Sequence, residues 1–407
     1  MEKEFKNILK TGKKEDIEKY INDLSLKHPD DDKITYWKVY TDLVLNNNTK
    51  DSLNTVKGLL EKDKNNKTYL NFIGNIHLLE ADYDKSIEYY KKTLNQYNNK
   101  FIKEDNCIFA LTGSMEAYTS LKDKKNSNKT QPKLLKLFNN DKTQVLQYGN
   151  KLKGEKNYIE ALKIYNTLLY KDKKNIMVNL SKADLYEKTG DFNLAIQTYN
   201  TVLNEHSGNI GALNKQGKCL IQNNEIKKGE ENFNKVLLIN SNNTEALYGL
   251  AYSKNIQGKT KDALEYYDKT LEQNPYHTEA LLAKAKILKN EKNYVGVLET
   301  YNKLLENDKK NIEALEGVAE IYHIEKEYEQ EIETLNKILK IKNKDINILN
   351  KKIKAQYELK SYQEALNTCN EVLNFTDNKE TIKLKKQIEN KINNPSLLSS
   401  IKSKLGF

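Results

Sequence analysis

The chain contains no arginine: all 67 of its basic residues are lysine. The planar five-donor fork that reads base edges and clamps carboxylates or phosphates in a bidentate way is therefore missing. The net charge of +10 sits on flexible ammonium groups interleaved with 57 acids. This leaves a nucleic-acid-associated basic protein as a minor alternative only, because no lysine stripe forms. Cysteine is scarce, with Cys107, Cys219 and Cys369 far apart, which excludes a disulfide framework and a CxxC metal knuckle and favours a reducing compartment. His28, His77, His206, His277 and His323 show no pairing at ligand spacing, so neither a metal nor a cofactor is expected. Phosphate loops, nucleophile elbows and kinase-like signatures are missing, which points away from an enzyme. Four prolines and sixteen glycines argue against a sheet-rich or disordered chain. No run approaches a membrane span, and the opening MEKEFKNILKTGKKEDIEKY lacks the apolar core of a signal peptide. A cytoplasmic location is the default expectation.

Against these absences stands one strong regularity. The stretch from Thr244 to His277 reads as a helix, a turn at Gly258 and a second helix, and shifting the window by 34 residues lands on the same residue types in the same slots. The small residue of the first helix recurs as Gly149, Ala183, Gly217, Ala251, Ala285 and Ala319. That of the second helix recurs as Ala161, Ala195, Gly229, Ala263 and Ala365, with Val297 and Glu331 as exceptions. One turn later stands a large residue: Tyr165, Tyr199, Phe233, Tyr267, Tyr301, Leu335 and Cys369. Helices of one hairpin approach closely only where side chains are small, while the rings fill space towards the next hairpin. Leucine at Ala251 should overpack by about 1–3 kcal/mol, and removing the Tyr267 ring should cost about 3–5 kcal/mol.

The pattern resembles the tetratricopeptide repeat, and 244–277 matches that signature most fully, with its Leu-Gly-type pair, Tyr, Ala, Tyr and terminal Pro-containing turn. The resemblance implies an all-α fold, a right-handed α-solenoid of about ten helix-turn-helix units with terminal capping helices. Residues 1–32 read as an N-terminal capping hairpin or degenerate repeat, and 33–100 as two divergent units. Residues 101–107 are inserted, and 108–141 form a degenerate unit whose second half opens KKNSNKTQP. That polar stretch reads as a loop followed by a shortened helix, and 101–141 as the candidate hinge. Seven units then run without a gap over 142–379. First helices begin behind Asn175, Asn209, Asn243, Asn311 and Asp345, and second helices behind Asn157, Asp191, Asn293 and Ser361, all good capping residues. Residues 380–407 are a capping helix with the stripe Leu384, Ile388 and Ile392, then a tail, PSLLSSIKSKLGF, that reads as a second cap, a frayed end or a short amphipathic segment for a partner or membrane surface.

In arrays resembling this one the first helices line a concave groove. Tyr248 and Tyr252, four apart on such a face, stand out as aromatic anchors; Asn214 and Lys218 precede them and Leu282 and Lys286 follow. These six are the candidate partner-binding residues, beside the plainer reading of Tyr248 and Tyr252 as half-buried structural rings. The Lys, Asn and Arg set with which some such arrays grip a C-terminal carboxylate is not assembled: the groove slots read Asn71 and Asn75, then Leu146 and Asn150, then Leu180 and Asp184. His323, near Glu316 and Glu320, reads as solvated. Residues 312–345 hold nine acids against five lysines, and 379–407 seven lysines against two acids, a pattern that suits solvated faces, steering of a partner or pairing in a self-assembling oligomer. The expected role is a non-enzymatic protein–protein interaction scaffold that binds a peptide or helix of a partner protein, with no small-molecule substrate.

Overall fold

The structure, a computed structural model, describes residues 4–5, 8–9, 13–46, 48–98 and 100–393. The described residues contain helices and turns with no strand, an all-α repeat solenoid. Two compact units divide them at residue 225. The first holds α1 (Lys14–Lys27), α2 (Asp32–Asn46), α3 (Thr49–Lys62), α4 (Lys67–Leu79), α5 (Tyr83–Asn95), α6 (Asp105–Ser120), α7 (Lys124–Leu137), α8 (Lys142–Gly154), α9 (Tyr158–Leu169), α10 (Ile176–Thr189), α11 (Phe192–Glu205) and α12 (Ile210–Gln222). The second holds α13 (Ile226–Ile239), α14 (Thr244–Ile256), α15 (Thr260–Gln273), α16 (Thr278–Asn290), α17 (Tyr294–Asn307), α18 (Ile312–Ile324), α19 (Tyr328–Ile341), α20 (Ile346–Glu358), α21 (Tyr362–Leu373) and α22 (Lys379–Ile392). Helices α2 to α21 fall two to a window in the phase read from the sequence.

Nine of the hairpins are closed by the same backbone device. Ala81, Lys122, Lys156, Gly190, Asn224, Gly258, Lys292, Lys326 and Lys360 share one slot and all have left-handed φ between 58° and 82°. Just beyond, an amide reaches back to the last turn of the first helix, as Asn293 N donates to the Leu288 carbonyl at 2.9 Å and Lys259 N to that of Lys254 at 2.9 Å. Only two members are glycine, which is why the sequence shows the turn clearly at Gly258 and hardly elsewhere.

First-helix caps act as the sequence suggests: Asn175, Asn209, Asn243 and Asn311 each accept the backbone N–H three residues on, at 2.9–3.1 Å, and Asp345 accepts from Ile348 N at 3.2 Å. His277 fills the same slot, its Nδ1 accepting Ala280 N at 3.3 Å. Of the four second-helix caps read from the sequence, Asn293 alone binds through its side chain; Asn157, Asp191 and Ser361 hold the position without that bond. For Asp191 a competing donor is visible, because the Thr189 hydroxyl donates to its Oδ2 at 2.6 Å.

Packing follows the slots. Ala251, Ala263 and Tyr267 are completely buried in one cluster with Ala285. The ring of one second helix presses on a small residue sixteen positions on: a Cβ at Gly249 would land on the Phe233 ring and one at Gly317 on that of Tyr301. Such close approach leaves room for hydrogen alone. All three cysteines are buried, and burial pushes the Cys219 thiol up to about 12 and that of Cys369 to about 11.

The polar stretch KKNSNKTQP is not a loop. It opens the continuous helix α7, with Pro132 in its interior. A proline there deletes one backbone donor and is unfavourable by about 3 kcal/mol. Tertiary contacts override that cost: Asp123 accepts Asn126 N at 3.1 Å, Ser127, Gln131 and Leu134 are buried, and Gln131 Nε2 donates to the Thr167 carbonyl at 2.7 Å. The expected hinge, 101–141, lies wholly inside the first unit. At the N-terminal end Phe5 stacks on Trp37 with centroids 4.7 Å apart, and both join Ile21 and Ile34 in a small core. At the other end Ile388 of α22 is buried, with Leu384 and Ile392 packed beside it. The tail from residue 394 lies outside the described residues.

Candidate functional site

In the second unit, α14 and α16 carry four of the six expected binding residues. Tyr248 and Tyr252 are half-buried with centroids 6.5 Å apart, and Tyr248 also stacks on His277 at 4.9 Å and tilts against Tyr267 at 6.0 Å. Burial raises the Tyr248 phenol pKa, with smaller contributions from Glu279 and Tyr252. Leu282 is half-buried against the core cluster that Tyr248 also joins, while Lys286 is exposed. Tyr248 is therefore partly a packing residue, whereas Lys286 faces solvent.

In the first unit, Asn214 is buried and Lys218 is exposed on α12. The Lys218 ammonium lies 3.0 Å from Glu187 Oε1. This is one rung of a ladder between successive first helices, in which Asp184 bridges Lys153 and Lys215. Burial opposes its charge, but the two lysines outweigh it and hold the Asp184 carboxyl below its ordinary value. Lysines on these faces are thus largely paired with acids.

His323 is exposed, and its Nδ1 lies 3.0 Å from Glu331 Oε2. Glu331 is the exception in the small-residue slot, buried there, and burial raises its pKa against the opposing pull of His323.

The sequence reading missed α9. Lys163 is 2% exposed, and its ammonium donates to Glu160 Oε1 at 2.8 Å and to Asn75 Oδ1 at 2.6 Å. Asn75 also accepts from the Tyr90 hydroxyl at 2.6 Å and donates to Glu160 Oε1 at 2.8 Å. Asn150 likewise accepts the Tyr165 hydroxyl at 2.8 Å. Asn75 and Asn150 therefore satisfy buried phenols. A cavity of about 750 Å³ in this unit is lined in part by Glu116 and four lysines, Lys122, Lys124, Lys173 and Lys182. Asn166 bridges Glu116 and Lys182 at 3.1 and 2.8 Å. Burial raises the Glu116 pKa and lowers that of Lys182. Among the described residues no cluster of three metal-ligating side chains occurs, and no helix is long and apolar enough to cross a membrane.

Helical hairpins in one fixed phase define a repeat solenoid. Family models described as tetratricopeptide repeat match residues 256–321, and 68–99 with 178–204. The chain is a tetratricopeptide repeat protein, and members of that family generally act as non-catalytic scaffolds for other proteins. No curated protein matches it. Among solved structures it is similar to a tetratricopeptide repeat protein from Parabacteroides merdae, at 19% identity over 61% of this chain and 99% of that one, with a TM-score of 0.42. It is also similar to PilF of Pseudomonas aeruginosa, at 17% identity over 49% of this chain and 91% of that one, with a TM-score of 0.43. YrrB, described as a TPR protein with an unusual peptide-binding site, is 21% identical over 46% of this chain and 95% of that one, with a TM-score of 0.36.

Proposed function

We propose that the chain is a non-catalytic scaffold that binds a peptide or helix of a partner protein on its first-helix faces. Asn214 and Lys218 contribute in the first unit, and Tyr248, Tyr252, Leu282 and Lys286 in the second. The observation that carries this reading is the half-buried stack Tyr252–Tyr248–His277 on the face that carries Lys286. Aromatic rings already held by packing lose little entropy when a partner covers them, which is how binding hot spots gain affinity. The test is the affinity of a partner captured from the native cell for Tyr252→Ala and Lys286→Glu. We expect each to weaken binding about tenfold with the helical circular dichroism unchanged; unchanged affinity in both sinks the assignment.

A further inference from the structure

The first unit contains a cavity of about 400 Å³ whose chemistry is opposite to that of the chain as a whole. Its carboxylates are Asp105, Glu155 and Glu160, and no lysine lines it although the protein has 67. One wall is aromatic: Phe72 lies 5.3 Å from Tyr36 and 6.2 Å from Tyr40, centroid to centroid, and the two tyrosines are 6.4 Å apart. Deeper in, Glu160 and Asn71 are 4% and 3% exposed. Glu160 Oε1 is taken by Asn75 and Lys163, but Glu160 Oε2 and Asn71 Oδ1 are buried acceptors without a hydrogen-bond partner. Burial and then the Glu160 charge hold the Tyr40 phenol up at about 12.

We propose that this cavity receives a cationic side chain, lysine or arginine, from a segment of a partner protein. Orphaned acceptors, one of them a carboxylate oxygen, ask for a group that only donates, and ammonium and guanidinium are the charged side chains with donors and no acceptor. Aromatic faces attract cations through their quadrupole, and the exposed rim acids Asp105 and Glu155 complement the same charge. The cavity is also larger than one side chain needs, leaving room for the flanking backbone. The proposal rests on the scaffold reading but uses other residues on other helices, so the two fail separately.

The probe is acetyl-Ala-Ala-Lys-Ala-Ala-amide, with arginine and norleucine counterparts and butylamine, titrated into the full chain carrying ring-labelled tyrosine. Resonances of Tyr36 and Tyr40, assigned with Tyr36→Phe and Tyr40→Phe, should move with the lysine or arginine peptide and not with norleucine. The rim variant Asp105→Asn with Glu155→Gln, at exposed positions, should weaken binding about fivefold. Glu160→Gln combined with Lys163→Met, which leaves no unpaired buried charge, should abolish it. An equal response to norleucine, or a lysine response unchanged in both variants, overturns the proposal. So does butylamine binding as tightly as the lysine peptide, which reassigns the cavity to a small amine. Tyr252→Ala should leave the lysine response intact; its loss there would place the probe on the other face and overturn the proposal.

Discussion

Lys163 of α9 and Glu299 of α17 stand in the same slot of the repeat, yet Lys163 is buried and Glu299 exposed, as are Glu265 and Glu333 in that slot of the second unit. The repeat phase dictates what a second helix buries within its own hairpin and against the next one. It does not dictate what covers the outer side. In the first unit, contacts from Asn75 of α4 and from α6 close over α9; in α15, α17 and α19 that side faces water.

The sharpest test removes the charge. Lys163→Ala strands the buried Glu160 carboxylate and should cost about 3–5 kcal/mol in denaturant unfolding, whereas Glu299→Ala should stay within about 0.5 kcal/mol. Equal costs would show that the two outer sides do not differ. Next in size, Gly317→Ala should cost about 1–3 kcal/mol because its Cβ meets the Tyr301 ring. Gly58→Ala on α3, with nothing within 4 Å, should instead stabilise by about 0.5–1 kcal/mol. At the turns, Lys292→Gly and Lys326→Gly should each raise stability by up to about 1 kcal/mol by relieving left-handed strain, and Gly258→Ala should lower it by about 1 kcal/mol, read as shifts in thermal midpoint.

The smallest effect separates the units by pH. Asp184 in the first is depressed, so its contribution is present above its ordinary value and lost as pH falls through its native one. Glu331 in the second is raised, so its burial costs stability above its native value and that cost fades as pH falls towards the ordinary carboxylate value. Hydrogen exchange followed from pH 7 downwards should show α18 and α19 gaining protection first and α8 and α10 losing it later. The same direction in both would contradict the assignment.

Most of the fold was legible in the residues, because the small and ring slots respond to contacts within 34 residues, and Asn175 or Asn311 caps its own helix. Pro132 misled because tertiary burial of Gln131 and Leu134 outweighs local propensity. The candidate site was legible only in part. Tyr248 and Tyr252 announce themselves by spacing, but Lys163 and Glu160 lie 88 and 85 residues from Asn75, and in α9 they look like any solvated pair. His323 is exposed as its sequence surroundings suggest, but its partner is Glu331 of the next helix, where Glu316 and Glu320 were the neighbours in view.

The seven residues at 101–107 that interrupt the periodicity supply Asp105, at the mouth of the acidic hollow, and Asn106, whose carbonyl accepts from Asn71 at 2.9 Å. Excising them would restore the uniform rhythm of the chain and strip that hollow of a negative group and a brace. In a molecule built of like units, individuality enters where the period is broken, and here the irregular joint furnishes chemistry that the neighbouring units do not repeat.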